Sequence, residues 1–283
     1  VLTALSARTL GPANREQIVA ALQADPIANC LVAERWEQAE SGRALGGTFW
    51  GVGGGRDALV FAGGNLIPVS GTPAGLRPIA TTLGRRRRTV ASLVGSAPLV
   101  LPLWQYLQPH WGVAREVRPD QPLLACAEPP LLPPDPRIRA VPADFIDSYL
   151  PAAVAMFTEE VGADPLAGDD GRSYRGRVSE LLQQGRAFAL LTDPDAGGRQ
   201  RVLFKAEIGA LSRDTAMIQG VWVDPAWRGR GIAAPALAAV VQQVQQRFRR
   251  LPCLYVNQYN VIARSVYRRI GFQQVGTYAT VLF

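Results

Sequence analysis

Two short segments hold residues whose type and spacing suit chemistry. In Val221-Trp222-Val223-Asp224-Pro225-Ala226-Trp227-Arg228-Gly229-Arg230-Gly231-Ile232-Ala233, a strand-like run ends at Asp224-Pro225 and a helix-like run begins at Ile232. Backbone N–H groups at a helix N-terminus have no partner within the helix, and the helix dipole favours an anion there. The two glycines let the main chain approach phosphate oxygens. The segment reads as a pyrophosphate cradle. No Gly-Lys-Ser/Thr follows, so it is not a P-loop, and the dinucleotide-fold glycine spacing is absent. The second segment is Lys205-Ala206-Glu207. Strand alternation puts both charges on one face. Glu207 there is either a base acting through water or half of an ion pair with Lys205, and both readings stay open. Asp224, before Pro225, reads as a turn cap.

Other candidates are weaker. Glu159 and Glu160 end a helix-like run and could attract a cationic amine or simply face solvent. Trp222 and Trp227 flank the cradle as packing residues, with an acceptor-pocket wall as the alternative for Trp222. Arg85 to Arg88 is a run of four arginines that reads as a solvated face. His110, the single histidine, lies between Pro109 and Trp111 and reads as structural. A Ser-His-Asp triad must therefore use His110 or not exist. Cys30, Cys126 and Cys253 are scattered among apolar neighbours, with no C-x-x-C, so no zinc site is expected and the thiols read as buried hydrophobes in a reducing compartment.

The elements that must position these residues follow from periodicity. Beyond residue 137 the order reads β-α-α-β-β-β-α-β-α-β. Strands are expected over 138–141, 187–192, 201–211, 215–223, 254–256 and 274–283. Helices are expected over 143–160, 174–184, 232–249 and 261–270. Gly162, Pro165, Gly168 and Gly171 mark a loop. The first half gives a blurred version of this order. Helices are expected over 18–22, 27–38, 74–84 and 100–107, with strands over 47–52, 58–62, 66–69, 89–94 and 123–127. Between the halves, Pro129, Pro130, Pro133, Pro134 and Pro136 block helix and sheet alike.

Composition bounds the rest. The chain has 283 residues, 48% hydrophobic and 19% charged, with a net charge of +7. That length suits two domains. The expected division is 1–128, a Pro-rich linker 129–137, and 138–283. Of the 30 basic residues only Lys205 is a lysine, which reads as coding bias more than selection for nucleic acid. No signal-peptide pattern is expected in residues 1–17. The most apolar window, 90–107, is broken by Gly95, Pro98 and Pro102 and falls short of ~20 apolar residues for a membrane span. A cytoplasmic protein is expected.

The cradle resembles the signature of the GNAT superfamily of acyl-CoA-dependent N-acetyltransferases, Gln/Arg-x-x-Gly-x-Gly/Ala after a Val-x-Val-x-Pro strand, with Arg228, Gly231 and Ala233 as its matching residues. Asn257-x-x-Asn260-x-x-Ala263-x-x-x-Tyr267-x-x-x-Gly271-Phe272 is similar to the family's closing strand-helix-strand. The whole chain resembles actinobacterial proteins with two consecutive GNAT-like halves. The resemblance implies an α/β (α+β) fold of two such domains in tandem, each a mixed, mostly antiparallel sheet flanked by helices. It implies that the amides from Trp227 to Ala233, including Gly229, Arg230 and Ile232, hold the pyrophosphate of coenzyme A. The main chain of Val221 to Val223 would pair with the pantetheine arm, with Asn257 and Asn260 beside it. Tyr267 would protonate the leaving thiolate. The family's usual glutamate on the strand before the cradle is missing, because that strand reads Met217-Ile218-Gln219-Gly220-Val221. Glu207 on the adjacent strand is the substitute. In the first half, Pro73 and Pro78 remove N–H donors where a cradle should lie, and a degenerate half is expected.

The implied activity is acetyl transfer from acetyl-CoA, without metal, to a primary amine on a small molecule or peptide, directly within a ternary complex in the C-terminal half. Two alternatives stand beside it. Paired GNAT-like domains also occur in aminoacyl-tRNA-dependent transferases, although the intact cradle argues against nucleic acid. A coenzyme A-binding regulatory or scaffold protein is the non-enzymatic reading.

Overall fold

The computed structural model describes residues 6–167, 169–198 and 200–283. Gly168 and residues 1–5 lie outside the described residues. The N-terminal half contains β1 (Arg8–Leu10), α1 (Arg15–Ala24), α2 (Cys30–Glu40), β2 (Thr48–Val52), β3 (Ala58–Ala62), β4 (Asn65–Gly71), α3 (Pro73–Gly84), β5 (Ser92–Ser96), α4 (Ala97–Trp111) and β6 (Glu116–Ala125). The C-terminal half contains β7 (Arg139–Ala140), α5 (Ile146–Val161), α6 (Arg172–Gln183), β8 (Ala187–Leu191), β9 (Val202–Leu211), β10 (Thr215–Val223), α7 (Ala233–Gln243), β11 (Leu251–Tyr255), α8 (Val261–Ile270) and β12 (Gln273–Leu282). The element order of the second half is the expected one. In the first half β1 was not expected, β6 starts earlier than residue 123, and α4 runs through Pro109 to Trp111.

The described strands form one twelve-stranded sheet in the order β1-β2-β3-β4-β5-β12-β6-β11-β10-β9-β8-β7. Its centre is an exchange. The last strand of the N-terminal half, β6, lies against β11 of the C-terminal half. The last strand of the chain, β12, lies against β5 of the N-terminal half. The two exchanged strands pair antiparallel with each other from Gln273↔Ala125 to Leu282↔Glu116. Gly112 after α4 and Gly271 after α8, with φ of 80° and 114°, end the helices that precede the two strands.

Apolar cores therefore mix residues of both halves. Ile18, Phe49 and Val69 pack in one cluster with Met217, Cys253 and Tyr278. Ala279 and Val281 of β12 join α3 and α4. Tyr278 Oη donates to the Ala28 carbonyl at 2.5 Å inside this interior. Glu34 of α2 pairs with Arg186, just before β8, with side-chain exposures of 12% and 14%. The Pro-rich connector has no helix or strand. It is tied down where Leu131 N donates to the Ile270 carbonyl and Asp135 N to the Pro235 carbonyl. The three cysteines are free and buried. No helix among the described residues is long and apolar enough to cross a membrane.

Candidate active site

β10 and β11 run parallel, but they pair only at Thr215↔Leu251, Ala216↔Pro252 and Met217↔Cys253. Beyond Met217 the strands part. β10 keeps its pairing with β9, with register shifts on either side of Ile218–Gln219 and a left-handed Gly220 at φ 59°. β11 turns its next residues to β6. A wedge opens between them, and the edge of β10 from Ile218 to Val223 that faces β11 has no strand partner among the described residues. An extended chain entering the wedge can pair with that edge as an added strand.

The cradle lies where β10 ends. Asp224 Oδ1 accepts from Ala226 N at 2.9 Å, the cap expected of it. The amides of Trp227 and Arg228 close the same turn, donating to the carbonyls of Asp224 and Pro225. These two amides therefore do not face a ligand, and the cradle is shorter than the Trp227–Ala233 stretch expected from sequence. From Gly229 to Ala234 no amide meets an intramolecular acceptor among the described residues. Gly229 and Gly231 have φ of 75° and 76°, and a Cβ on either would touch nothing within 4 Å. A left-handed turn, open space and a fan of unused donors at the start of α7 suit an anion.

The side chains of the cradle are fixed by the protein itself. Arg228 donates from Nε to the Val223 carbonyl at 3.1 Å and from Nη2 to Glu159 Oε2 at 2.6 Å. Glu159 Oε1 accepts from Trp222 Nε1 at 3.1 Å. Glu159 thus links the end of α5 to the cradle, and its charge is already answered. Arg230 stacks over the Trp227 ring at 4.6 Å. Asn260 caps α8, with Oδ1 accepting from Ala263 N at 3.1 Å. Asn257 Oδ1 accepts from Gln121 Nε2 at 2.8 Å, and Gln121 Oε1 accepts from Thr280 Oγ1 at 2.6 Å. Tyr267 is buried against Phe272, and burial holds its phenol well above the ordinary range. Its hydroxyl has no hydrogen-bond partner among the described residues.

Glu207 and Lys205 lie under the distorted part of β10. Lys205 is fully buried, and its Nζ is 2.7 Å from Glu207 Oε1, outside hydrogen-bond geometry. The same oxygen accepts from Tyr149 Oη at 3.0 Å. Oε2 has no hydrogen-bond partner among the described residues. Gly220 is the thin cover over this group: a Cβ there would lie 2.9 Å from Lys205 Nζ and 3.4 Å from Glu207 Oε2. The ion-pair reading is met at Oε1, which Lys205 and Tyr149 hold. Tyr149, buried on α5, was not anticipated as a functional residue.

A cleft of about 410 Å³ opens onto the mouth of the wedge. Gln219 of β10 and Tyr255 of β11, each two residues past the point where the strands part, line it. So do Glu160 at the end of α5, Arg118 and Gln121 of β6, and side chains of α2 and α6. Desolvation raises the Glu160 carboxyl above the usual carboxylate range, opposed by Arg118 and Lys205. Burial and Glu160 push the Tyr255 phenol up to about 12. The cleft residues from α2 and β6 were not foreseen, because nothing local in the sequence shows that β6 crosses to the other half.

The corresponding place in the N-terminal half is built differently. β4 and β5 pair in parallel only at Asn65↔Ser92 and Leu66↔Leu93, then part in the same way. Its helix start is closed, however. Pro73 opens α3, Thr72 Oγ1 accepts from Gly75 N at 3.2 Å, and Leu76 N donates to the Thr72 carbonyl. A Cβ on Gly75 would lie 2.7 Å from the Asp57 carbonyl. Thr72 supplies the acceptor that the cradle of α7 leaves open. His110 packs against Gly84 of α3, a structural position.

Residues 187–272 match the acetyltransferase (GNAT) family, and residues 47–149 match a domain of unknown function (DUF4081). Over 62 residues the chain is 36% identical to an uncharacterised N-acetyltransferase of Methanocaldococcus jannaschii. It is 37% identical over 62 residues to a ribosomal protein bS18-alanine N-acetyltransferase of Haemophilus ducreyi. Each match covers 22% of this chain, with 27% and 43% of the two relatives. Among solved structures, a GCN5-related N-acetyltransferase from Sphaerobacter thermophilus superposes with a TM-score of 0.63 at 18% identity, covering 97% of this chain and 93% of that one. A tandem GNAT protein from the clavulanic acid biosynthesis pathway gives 0.53 at 15% identity, covering 99% and 98%. An acetyltransferase from Colwellia psychrerythraea gives 0.56 at 12% identity, covering 98% and 99%. At these identities the structural likeness speaks for the fold of the whole chain, two GNAT-like halves in tandem. The family match is confined to residues 187–272, and over those residues the chain is similar to the GNAT family of acetyltransferases.

Proposed function

We propose that the C-terminal half transfers an acetyl group from acetyl-CoA to a primary amine bound in the cleft. The observation that carries this reading is the fan of unused amides from Gly229 to Ala234 at the end of a strand whose free edge lines an open wedge. Acetyl-CoA-dependent transfer is general to the GNAT family, and the closed helix start at Thr72 leaves the C-terminal cradle as the better place for a pyrophosphate. Acetyl-CoA, when bound, supplies the activated thioester. The wedge delivers that end of the donor between Gln219 and Tyr255, at the floor of the cleft.

The protein's own groups then have three tasks. Amides along the free edge of β10 meet the developing negative charge on the carbonyl oxygen. Glu207 Oε2, unpartnered, takes the amine proton, directly or through one water, while Tyr149 and Lys205 hold Oε1 and fix the carboxylate. Tyr267, with its raised phenol and free hydroxyl, gives a proton to the departing sulfur. A C–N bond forms as the C–S bond breaks, and no covalent enzyme intermediate is needed. This matches the burial of all three cysteines away from the cleft.

Calorimetry with acetyl-CoA tests the reading. In Gly231→Trp the indole would stand in the open space of the cradle at a left-handed φ, so affinity should fall at least ~100-fold while the far-UV spectrum is kept. Wild-type protein that ignores acetyl-CoA, or a variant that binds it equally well, would overturn the assignment.

A further inference from the structure

The cleft carries charge that the protein does not neutralise. Glu34 is paired with Arg186. Arg118 is held by both oxygens of Glu116 and also donates to the Glu160 carbonyl. Glu180 lies 3.7 Å from Arg43. Three charged groups lining the cleft have no ion-pair partner among the described residues. They are Arg35 on α2, Arg177 on α6 and the Glu160 carboxyl at the end of α5. The two arginines come from different halves. Arg177 is placed by Gln219, whose Oε1 accepts from its Nη2 at 3.5 Å.

We propose that the acceptor is an amine that carries its own carboxylate, an α-amino acid or a molecule ending in one. This rests on the reading of the cleft as the acceptor site. The spatial order of the groups sets the chemistry. The reacting nitrogen must reach the wedge mouth between Gln219 and Tyr255, and Glu160 there answers an ammonium. Arg177 donates to Gln219 at the wedge mouth, so a carboxylate on that guanidinium lies beside the place the amine must reach, as the carboxylate of an α-amino acid would. Guanidinium binds carboxylate in a fixed fork, which makes Arg177 a positioning group for the amine as well as a charge. Arg35, on α2 of the other half, is left for a second acidic group on the side chain. A lysine of a folded protein would bring a long uncharged stem and leave both guanidiniums unanswered. A volume of about 410 Å³ takes a small molecule of this kind.

The test compares L-alanine, L-glutamate and L-alaninamide as acceptors, reading thiol release from acetyl-CoA, with calorimetry of L-glutamate on the protein without donor. Both arginines are exposed, so Arg177→Gln and Arg35→Gln should keep the wild-type melting curve. Wild type should use L-alanine at least ~10-fold better in kcat/KM than L-alaninamide. Arg177→Gln should bring that ratio close to one, mainly through KM, and should weaken L-glutamate binding about tenfold. Arg35→Gln should narrow the preference for L-glutamate over L-alanine. Equal use of amino acid and amide by wild type would overturn the carboxylate requirement while leaving the acetyl-CoA reading standing. If no probe turns over, the binding arm decides: L-glutamate that binds wild type no better than Arg177→Gln sinks the proposal. Failure of the acetyl-CoA reading shows separately, as absence of acetyl-CoA binding to wild type.

Discussion

At the scale of residues, the carboxylates divide the work by what already holds them. Glu159 is committed to Trp222 and Arg228, and Glu34 to Arg186. Glu207 has one oxygen fixed by Tyr149 and Lys205 and the other free, and Glu160 faces the cleft. Glu207→Gln should lower kcat ~100-fold or more without weakening acetyl-CoA binding, since general-base removal typically costs two to four decades. A kcat within twofold of wild type across pH 6–9 would remove Glu207 from the mechanism. Glu160 gives a separate pH signature. Its raised carboxyl gains charge at a higher pH than an ordinary glutamate and loses it sooner as pH falls. KM for a cationic amine should therefore rise as pH drops from 7 to 5. Glu160→Gln should start with the higher KM and stay flat over that window. A flat wild-type profile would mean that Glu160 does not capture the amine.

At the scale of elements, the site depends on strands that stop pairing. β10 and β11 are parallel partners for three residue pairs and then diverge, which opens the wedge and places Gln219 and Tyr255 at its mouth. Gly220 permits the distortion because its left-handed φ suits glycine, and because a side chain would press on Lys205 and Met156. α2 and β8 are tied across the halves by Glu34 and Arg186, with Gln38 Nε2 also donating to Glu34. Glu34→Gln would leave Arg186 half-buried without its counter-charge. A loss of about 2 kcal/mol is expected, read as a lower denaturant midpoint at unchanged m. An unchanged midpoint would show that the pair adds nothing to the joining of the halves.

At the scale of the whole molecule, the exchange of β6 and β12 makes each half incomplete by itself. Residues 138–283 alone would lack β6 beside β11 and leave β12 without both of its partners. That fragment should show no cooperative thermal transition and should expose the apolar faces that Met217, Cys253 and Tyr278 bury against the N-terminal half. A fragment that melts cooperatively and binds acetyl-CoA would show the C-terminal half to be self-sufficient. The excess of arginine also looks different at this scale. Of the run Arg85 to Arg88, Arg86 stacks on Trp50 at 4.7 Å and Arg88 on Phe283 at 4.4 Å, so half of it packs on the protein's own rings.

Much of this was legible in the chain because its signals are local. The cradle is a strand end, two glycines and a helix start in thirteen consecutive residues. The strand face of Lys205 and Glu207 needs only a period of two. The inward turn of Tyr149 needs only the helical period. Less local features were read less well. β6 was expected from residue 123, yet its pairing runs from Glu116, held by β12 along most of its length. The turn that occupies the Trp227 and Arg228 amides was missed because the Asp224 and Pro225 carbonyls accept them only in the folded geometry. The sequence by itself determined the likeness of residues 187–272 to an acetyltransferase family and the order of elements beyond residue 137, since each is written in neighbouring residues. The tertiary structure alone decided which charged side chains of the cleft are left without an ion-pair partner among the described residues. Arg35 and Arg177 are far apart in sequence, and the joining of the two halves brings them to the lining of one cleft.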